Sequence, residues 1–255
     1  MNKKCVSDIE PIGIITGTGV SELLKIEQEE ILSIRTSAGD AIVKSGFLAE
    51  RPVVILERHG QGHAIPPHKI NYPANLLALK ELGVVRCLAT AAVGSLRRDW
   101  LPGTLGVISD FISISCGGVP TLYDNKICHT DFSEPFCASL RETILKTGED
   151  LGHKLEQEVV YINSDGPRYE TPAEVRLFRM WGGDVVGMTV GKEAIIAREA
   201  GICYAAIAVV ANLGSGLGQS ALNHEEVEQA MGNAISTIAA IFTGSLEVLP
   251  AGNNC

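Results

Sequence analysis

The sequence predicts an α/β fold: one domain, residues 1–255, built on a largely parallel sheet covered by helices. Three observations point there. Strand-like and helix-like segments alternate along the whole chain. The strand-like segments are β-branched and apolar on both faces, the pattern of strands buried between layers. The polar residues able to do chemistry gather just where those strands end, and open α/β sheets bind ligands in the crevice outside the carboxyl ends of their strands.

Pro11–Thr16 reads as a short buried strand that runs into the turn Gly17-Thr18-Gly19, and Val53–Leu56 as a strand leading to Glu57-Arg58-His59-Gly60. Asn71–Leu82 has the spacing of an amphipathic helix stopped by Gly83, and glycine just past the last turn is a common helix terminator. Val84–Ala91, Leu105–Phe111, Val159–Asn163 and Val185–Met188 follow as strands, separated by a helix over Phe136–Leu151 and another over Pro172–Trp181. The second of these carries proline in its first turn, where the missing N–H does no harm. Lys192–Ala200 is a helix, Ile202–Ala211 a continuous apolar strand and His224–Phe242 a closing helix. No repeat, low-complexity stretch or linker divides the chain.

Composition narrows the classes of function. With 45% apolar residues the chain can build a large core, and its apolar runs are far too short for a bilayer span. A net charge of −9 argues against nucleic acid as a partner, and any bound anion must be met by locally focused positive groups. The seven cysteines are irregularly spaced, with no CxxC pair. That fits free, mostly buried thiols in a reducing compartment. The N-terminal MNKKCVSDIEP lacks an apolar signal core, so a cytoplasmic protein is expected.

Thr18 sits in a glycine-flanked turn after a strand. There backbone N–H groups and the hydroxyl can approach an anion, although G-T-G also suits a plain tight turn. It is no dinucleotide fingerprint, because GxGxxG is incomplete. Arg58-His59 offers a fork matched to phosphate oxygens and a second donor, the alternative being a solvated loop with an arginine–carboxylate pair. His59 and His63 stand four apart, but Gly60, Gly62, Pro66 and Pro67 break any helix between and beyond them, so no metal site is expected. Six separated segments (Thr18, Arg58-His59, Thr90–Gly94, Glu170, Met188-Thr189 and Asn212) thus converge on one predicted crevice.

The motifs IIxGTG, RHGxxHxxPPHxxNYxANxxALKELG, TAAVGSL, DGPRYETPAEVR and GMT, followed by EAxxAREAGICYAAIAVVAN, resemble the trimeric purine nucleoside phosphorylase and methylthioadenosine phosphorylase family over nearly the whole chain. The resemblance implies a twisted mixed sheet flanked by helices, assembled as a homotrimer with a hexamer as the alternative. Inorganic phosphate would be the co-substrate, and no other cofactor is implied. Thr18, Arg58, His59, Ala92 (through its N–H) and Thr189 would hold the phosphate. Met188 and Tyr169 would line the sugar and base, and His129, in the segment His129–Phe132, would reach a neighbouring subunit's site. Glu170 matches the carboxylate that 6-oxopurine enzymes set against purine N1–H. Asn212 matches their base-reading asparagine, where adenine-directed relatives carry aspartate. His224 matches a histidine placed on a ribose 5′-hydroxyl, although Asn223-His224-Glu225-Glu226 also reads as an ordinary capped helix start.

The assignment of Glu170 has a physical basis of its own. An ionised carboxylate accepts from the N1–H of hypoxanthine or guanine and repels the bare N1 of adenine, a buried mismatch of about 1–3 kcal/mol. A helix-start carboxylate favoured by the dipole ahead of Pro172 is the competing reading. Three departures from the family pattern stand out. Ala91 replaces a polar residue, Gly191-Lys192 replaces Val-Pro, and the glycine-rich LGSGLGQSAL after Asn212 looks more like the methylthioinosine branch.

Overall fold

The computed structural model describes residues 9–17, 20, 23–114, 118, 120–218 and 224–250, with the backbone alone described at 224–231 and 233. Strands β1 (Ile12–Thr16), β4 (Arg51–Glu57), β5 (Arg86–Ser95) and β9 (Cys203–Leu213) run parallel in the spatial order β4-β1-β5-β9. Strands β6 (Leu105–Ser113), β7 (Glu156–Asn163) and β8 (Val185–Gly187) form a second parallel set. The two sets meet in opposite directions, β8 against the end of β5 at Gly94↔Val186 and β6 against β9 at Leu105↔Val209. Because β5 also pairs β9, the ring β5-β8-β7-β6-β9 closes. The carboxyl ends of β1, β4, β5 and β9, together with that of β8, line one crevice.

The remaining strands, β2 (Glu27–Thr36) and β3 (Gly39–Leu48), form an antiparallel hairpin on β4 that sequence reading leaves unassigned. The physical reason is plain: of β2 only Thr36 is buried, and its Glu27, Glu29 and Glu30 give no alternating apolar face. Cross-strand devices hold the hairpin instead, with Thr36 Oγ1 donating to Gly39 O at 2.7 Å and Arg35 Nε to Asp40 Oδ1 at 3.1 Å. The sheet is thus mixed and flanked by helices, as the resemblance implies, with this hairpin adding to its antiparallel part.

Helices cover both faces. On one side, α1 (Tyr72–Glu81) and α4 (Val190–Ala200) pack Leu76, Leu79, Ala194, Ile196 and Ala197 into the core. On the other, α2 (Ala138–Asp150) and α5 (His224–Val248) contribute Leu140, Ile144, Ile238, Ile241 and Phe242. The fifth helix, α3 (Pro172–Met180), closes a smaller cluster with Val175 and Phe178. Asn71 caps α1 by accepting from Ala74 N at 3.1 Å. Yet α1 is not amphipathic: Tyr72, Ala74, Leu76, Ala78 and Leu79 are all buried, because the helix lies between α4 and the β2–β3 hairpin.

Among the cysteines, Cys87 and Cys128 are free thiols, whereas Cys203 is disulfide-bonded, which corrects the expectation of free thiols throughout. Among the described residues no helix is long and apolar enough to cross a membrane.

Candidate active site

At the meeting of the two strand sets lies a cavity of about 240 Å³. Five of the six segments singled out in the sequence contribute to its wall, through Arg58-His59, Ala91–Gly94, Tyr169-Glu170, Met188-Thr189 and Ala211-Asn212, and Gly17, the residue before Thr18, lines it as well. Thr18 lies outside the described residues, as does the side chain of His224, whose backbone opens α5. His129 is exposed and does not line the cavity of its own chain.

Local irregularity lets one strand end present two neighbouring residues. Between Val93↔Val210 and Gly94↔Asn212 the β5–β9 register slips by one residue, and a bulge of this kind re-aims side chains. Ala211 and Asn212, which a regular strand would point to opposite faces, both reach the cavity. One N–H of the Asn212 amide donates to Leu213 O at 2.9 Å, which leaves a second N–H for a ligand.

Arg58 is only 2% exposed. Its Nε and Nη2 donate to Glu193, the latter at 2.8 Å to Oε2, and Nη1 donates to Thr90 O at 2.8 Å. Burial opposes its charge, but the Glu193 carboxylate prevails and holds the guanidinium protonated above its usual range. Tyr204, buried in β9, donates to Glu193 Oε2 at 2.6 Å, and burial together with that carboxylate keeps its phenol protonated. The expected free fork is therefore corrected. Three of the five N–H groups are committed to protein, the charge is neutralised within the chain, and two N–H groups remain.

His59 turns Nδ1 to Ile65 O at 2.8 Å and stacks on His63 with ring centroids 4.2 Å apart. Face-to-face rings do not converge on an ion, and among the described residues no group of three or more His, Cys, Asp or Glu side chains is arranged to hold a metal.

The amino end of α4 is spoken for by β7. Tyr161 Oη accepts from Thr189 N at 3.1 Å and Val190 N at 3.4 Å, while Asn163 Oδ1 accepts from Gly191 N at 3.1 Å. Burial pushes the Tyr161 phenol up to about 12. Gly187 has to be glycine here, since a Cβ would overlap that phenol oxygen. Thr189, the N-cap, makes no capping bond with its side chain and lines the cavity. The unusual Lys192 belongs to the first turn of α4, against the helix dipole, and is compensated by Asp165 Oδ1 at 3.2 Å.

Glu170 is buried, lines the cavity, and accepts from Ser164 Oγ at 2.6 Å. It does not serve the start of α3. Thr171 and Glu174 form that capping box, with Thr171 N donating to Glu174 Oε2 at 2.7 Å. Arg168 adds a bidentate pair to Glu174 at 2.7 and 2.8 Å. Hydrogen bonds from Arg168 first, and from the Thr171 backbone, hold the Glu174 carboxyl down at about 2 from 4.5. A depressed carboxylate stabilises the fold above its unfolded value and ceases to do so as pH falls through the folded one. Stability should thus decline between about 4.5 and 2. Arg168 is solvent-exposed, so the effect is modest. Arg168→Met should flatten that acid limb in denaturant melts run at stepwise pH.

Sequence reading missed Ser164, Tyr161, Asn163, Glu193 and Tyr204. The available signals were a carboxylate set in the apolar run Glu193–Ala197 and a lone phenol near the start of the mostly apolar β9.

The arrangement defines an α/β protein whose crevice is lined by the donors Arg58, His59 and Thr189 together with Glu170 and Asn212. The chain belongs to the phosphorylase superfamily, whose model matches residues 11–247. It is similar to a probable 6-oxopurine nucleoside phosphorylase of Dictyoglomus turgidum, 40% identical over 247 residues and covering 96% of this chain and 94% of the relative. A probable S-methyl-5′-thioinosine phosphorylase of Methanocaldococcus jannaschii is 43% identical over 217 residues, covering 85% and 84%. Among solved structures, methylthioadenosine phosphorylase from Schistosoma mansoni in complex with adenine superposes with a TM-score of 0.87 at 27% identity, covering 94% of this chain and 91% of that one.

Proposed function

We propose that the protein cleaves the N-glycosidic bond of 6-oxopurine nucleosides with inorganic phosphate, releasing the free base and a pentose 1-phosphate. The observation that carries the reading is the pairing, in one cavity, of an acceptor-only carboxylate at Glu170 with a donor amide at Asn212. That pair matches N1–H together with N7 or O6 of a 6-oxopurine, and it opposes the bare N1 of adenine.

In this reading phosphate lies against Thr18, Arg58, His59, the N–H of Ala92 and Thr189. With Arg58 neutralised by Glu193, the pocket holds the anion by directed hydrogen bonds more than by net charge. The phosphate attacks C1′ as the C1′–N9 bond breaks, and the bonding pair leaves with the purine. Asn212 donates to the charge growing on the base, while Glu170 fixes N1–H. Positioning and electrostatics supply the catalysis, and no covalent enzyme intermediate is needed. Met188 packs under the sugar beside Tyr169, and His224 serves the 5′ end. The reading includes no cofactor beyond phosphate, a cytoplasmic location and a homotrimer in which His129 reaches a neighbouring site.

The 43% identity to a thioinosine phosphorylase and the glycine-rich 213–219 stretch favour a second reading, with a 5′-methylthio group on the sugar. Phosphorolysis of inosine, 5′-methylthioinosine and 5′-methylthioadenosine in parallel, with and without phosphate, separates the two. Preference for inosine supports the first reading and preference for methylthioinosine the second. Preference for methylthioadenosine, or cleavage without phosphate, sinks both.

Gly166 has φ +65° and lies against the Met188 thioether. Gly166→Ala should cost about 1–3 kcal/mol in backbone strain. It should also push Met188 into the cavity, raising KM for the nucleoside more than KM for phosphate.

A further inference from the structure

We infer that Ser164 is a specificity-determining positioning residue: its hydroxyl holds Glu170 turned so that the carboxylate presents an acceptor to the base. The inference rests on the 6-oxopurine reading and assigns the group that enforces it.

Ser164 has one O–H proton, and its nearer acceptor is Glu170 Oε1, at 2.6 Å against 3.4 Å to Gly187 O. That short bond fixes the direction of the carboxyl group. Oε1 is thereby occupied. Oε2 has no protein hydrogen bond among the described residues, in a side chain that forms part of the cavity wall. Ser164 is itself held firmly. Its N–H donates to Gly187 O at 2.8 Å, next to Met188. Its two neighbours tie to the first turn of α4, Asn163 through Gly191 N and Asp165 through Lys192. A serine pinned on both sides and aimed at the one carboxylate that lines the cavity among the described residues makes a rigid bracket. Without it, Glu170 can swing away from the base.

The test compares full-length Ser164→Ala, Ser164→Thr and Glu170→Gln with the unmodified protein, measuring kcat/KM for inosine and adenosine, KM for phosphate and the thermal midpoint. Ser164→Ala is expected to lower the inosine-to-adenosine ratio by about tenfold with KM for phosphate unchanged, and Ser164→Thr to restore most of it. The inference alone is overturned if Ser164→Ala keeps the ratio while Glu170→Gln collapses it. It is equally overturned if phosphate KM rises in parallel with the loss and threonine gives no rescue, since the effect is then general disruption. Absence of phosphate-dependent inosine cleavage in the unmodified protein overturns the functional reading itself.

Discussion

Glu193→Ala is expected to destabilise the fold by about 3–5 kcal/mol, the largest single effect among the polar residues of the site. Arg58 is 2% exposed and Glu193 1%. Removing the carboxylate strands a buried guanidinium that has lost two of its three hydrogen bonds, and it deprives the Tyr204 hydroxyl of its acceptor. A charge so far from water cannot be rescreened by a small side-chain movement. Arginine cannot escape by shedding its proton either, since its ordinary value already lies beyond any working pH. Urea unfolding followed by fluorescence reads the loss as a lower midpoint at unchanged slope. The double replacement Arg58→Met with Glu193→Leu should recover much of the stability, because apolar groups of similar size replace a buried pair at little net cost. It should also abolish phosphate-dependent turnover, separating the structural role of the pair from its place in the cavity wall. A loss under about 1 kcal/mol in the single variant, the size found for exposed pairs, would mean that the pair opens to water in solution.

The same network shows where sequence reading stops. Burial of Arg58 and its neutralisation depend on a carboxylate 135 positions away, and no local pattern carries that. The cavity segments at Arg58-His59, Thr90–Gly94, Met188-Thr189 and Asn212 were legible because each lies at the end of a strand, and strand ends are visible as apolar runs that break into glycine and polar residues. The β2–β3 hairpin was not legible, since Glu27–Glu30 take strand form from pairing and not from a buried face. Nor was the closure of the ring, which depends on β5 finding β9 and β8 at once. The competing reading of Glu170 as a helix-start carboxylate is settled by a neighbour: Thr171 and Glu174 already satisfy that end of α3. The departure at Gly191-Lys192 also has a structural account, because glycine lets the backbone lie against Asn163 and the lysine finds Asp165.

Glu170→Gln should do more than weaken the enzyme; it should turn its base preference round. The amide keeps the size of the carboxyl group, so the bond to Ser164 can form again. With Ser164 still donating toward position 170 rather than to the more distant Gly187 O, the amide oxygen is its partner and the NH2 group is left toward the cavity. An acceptor facing the base thus becomes a donor. Against N1–H of hypoxanthine two donors then meet in a buried place, costing about 1–3 kcal/mol, which is roughly ten- to a hundredfold in kcat/KM for inosine. Against the bare N1 of adenine the same NH2 group makes a hydrogen bond, so kcat/KM for adenosine should rise. Glu170→Ala, which presents neither group, should lose inosine activity without gaining adenosine. Competition assays with the two nucleosides at fixed phosphate resolve the outcomes. A Gln variant that loses activity toward both bases equally would place Glu170 in transition-state stabilisation common to all purines, and would remove base selection from its role.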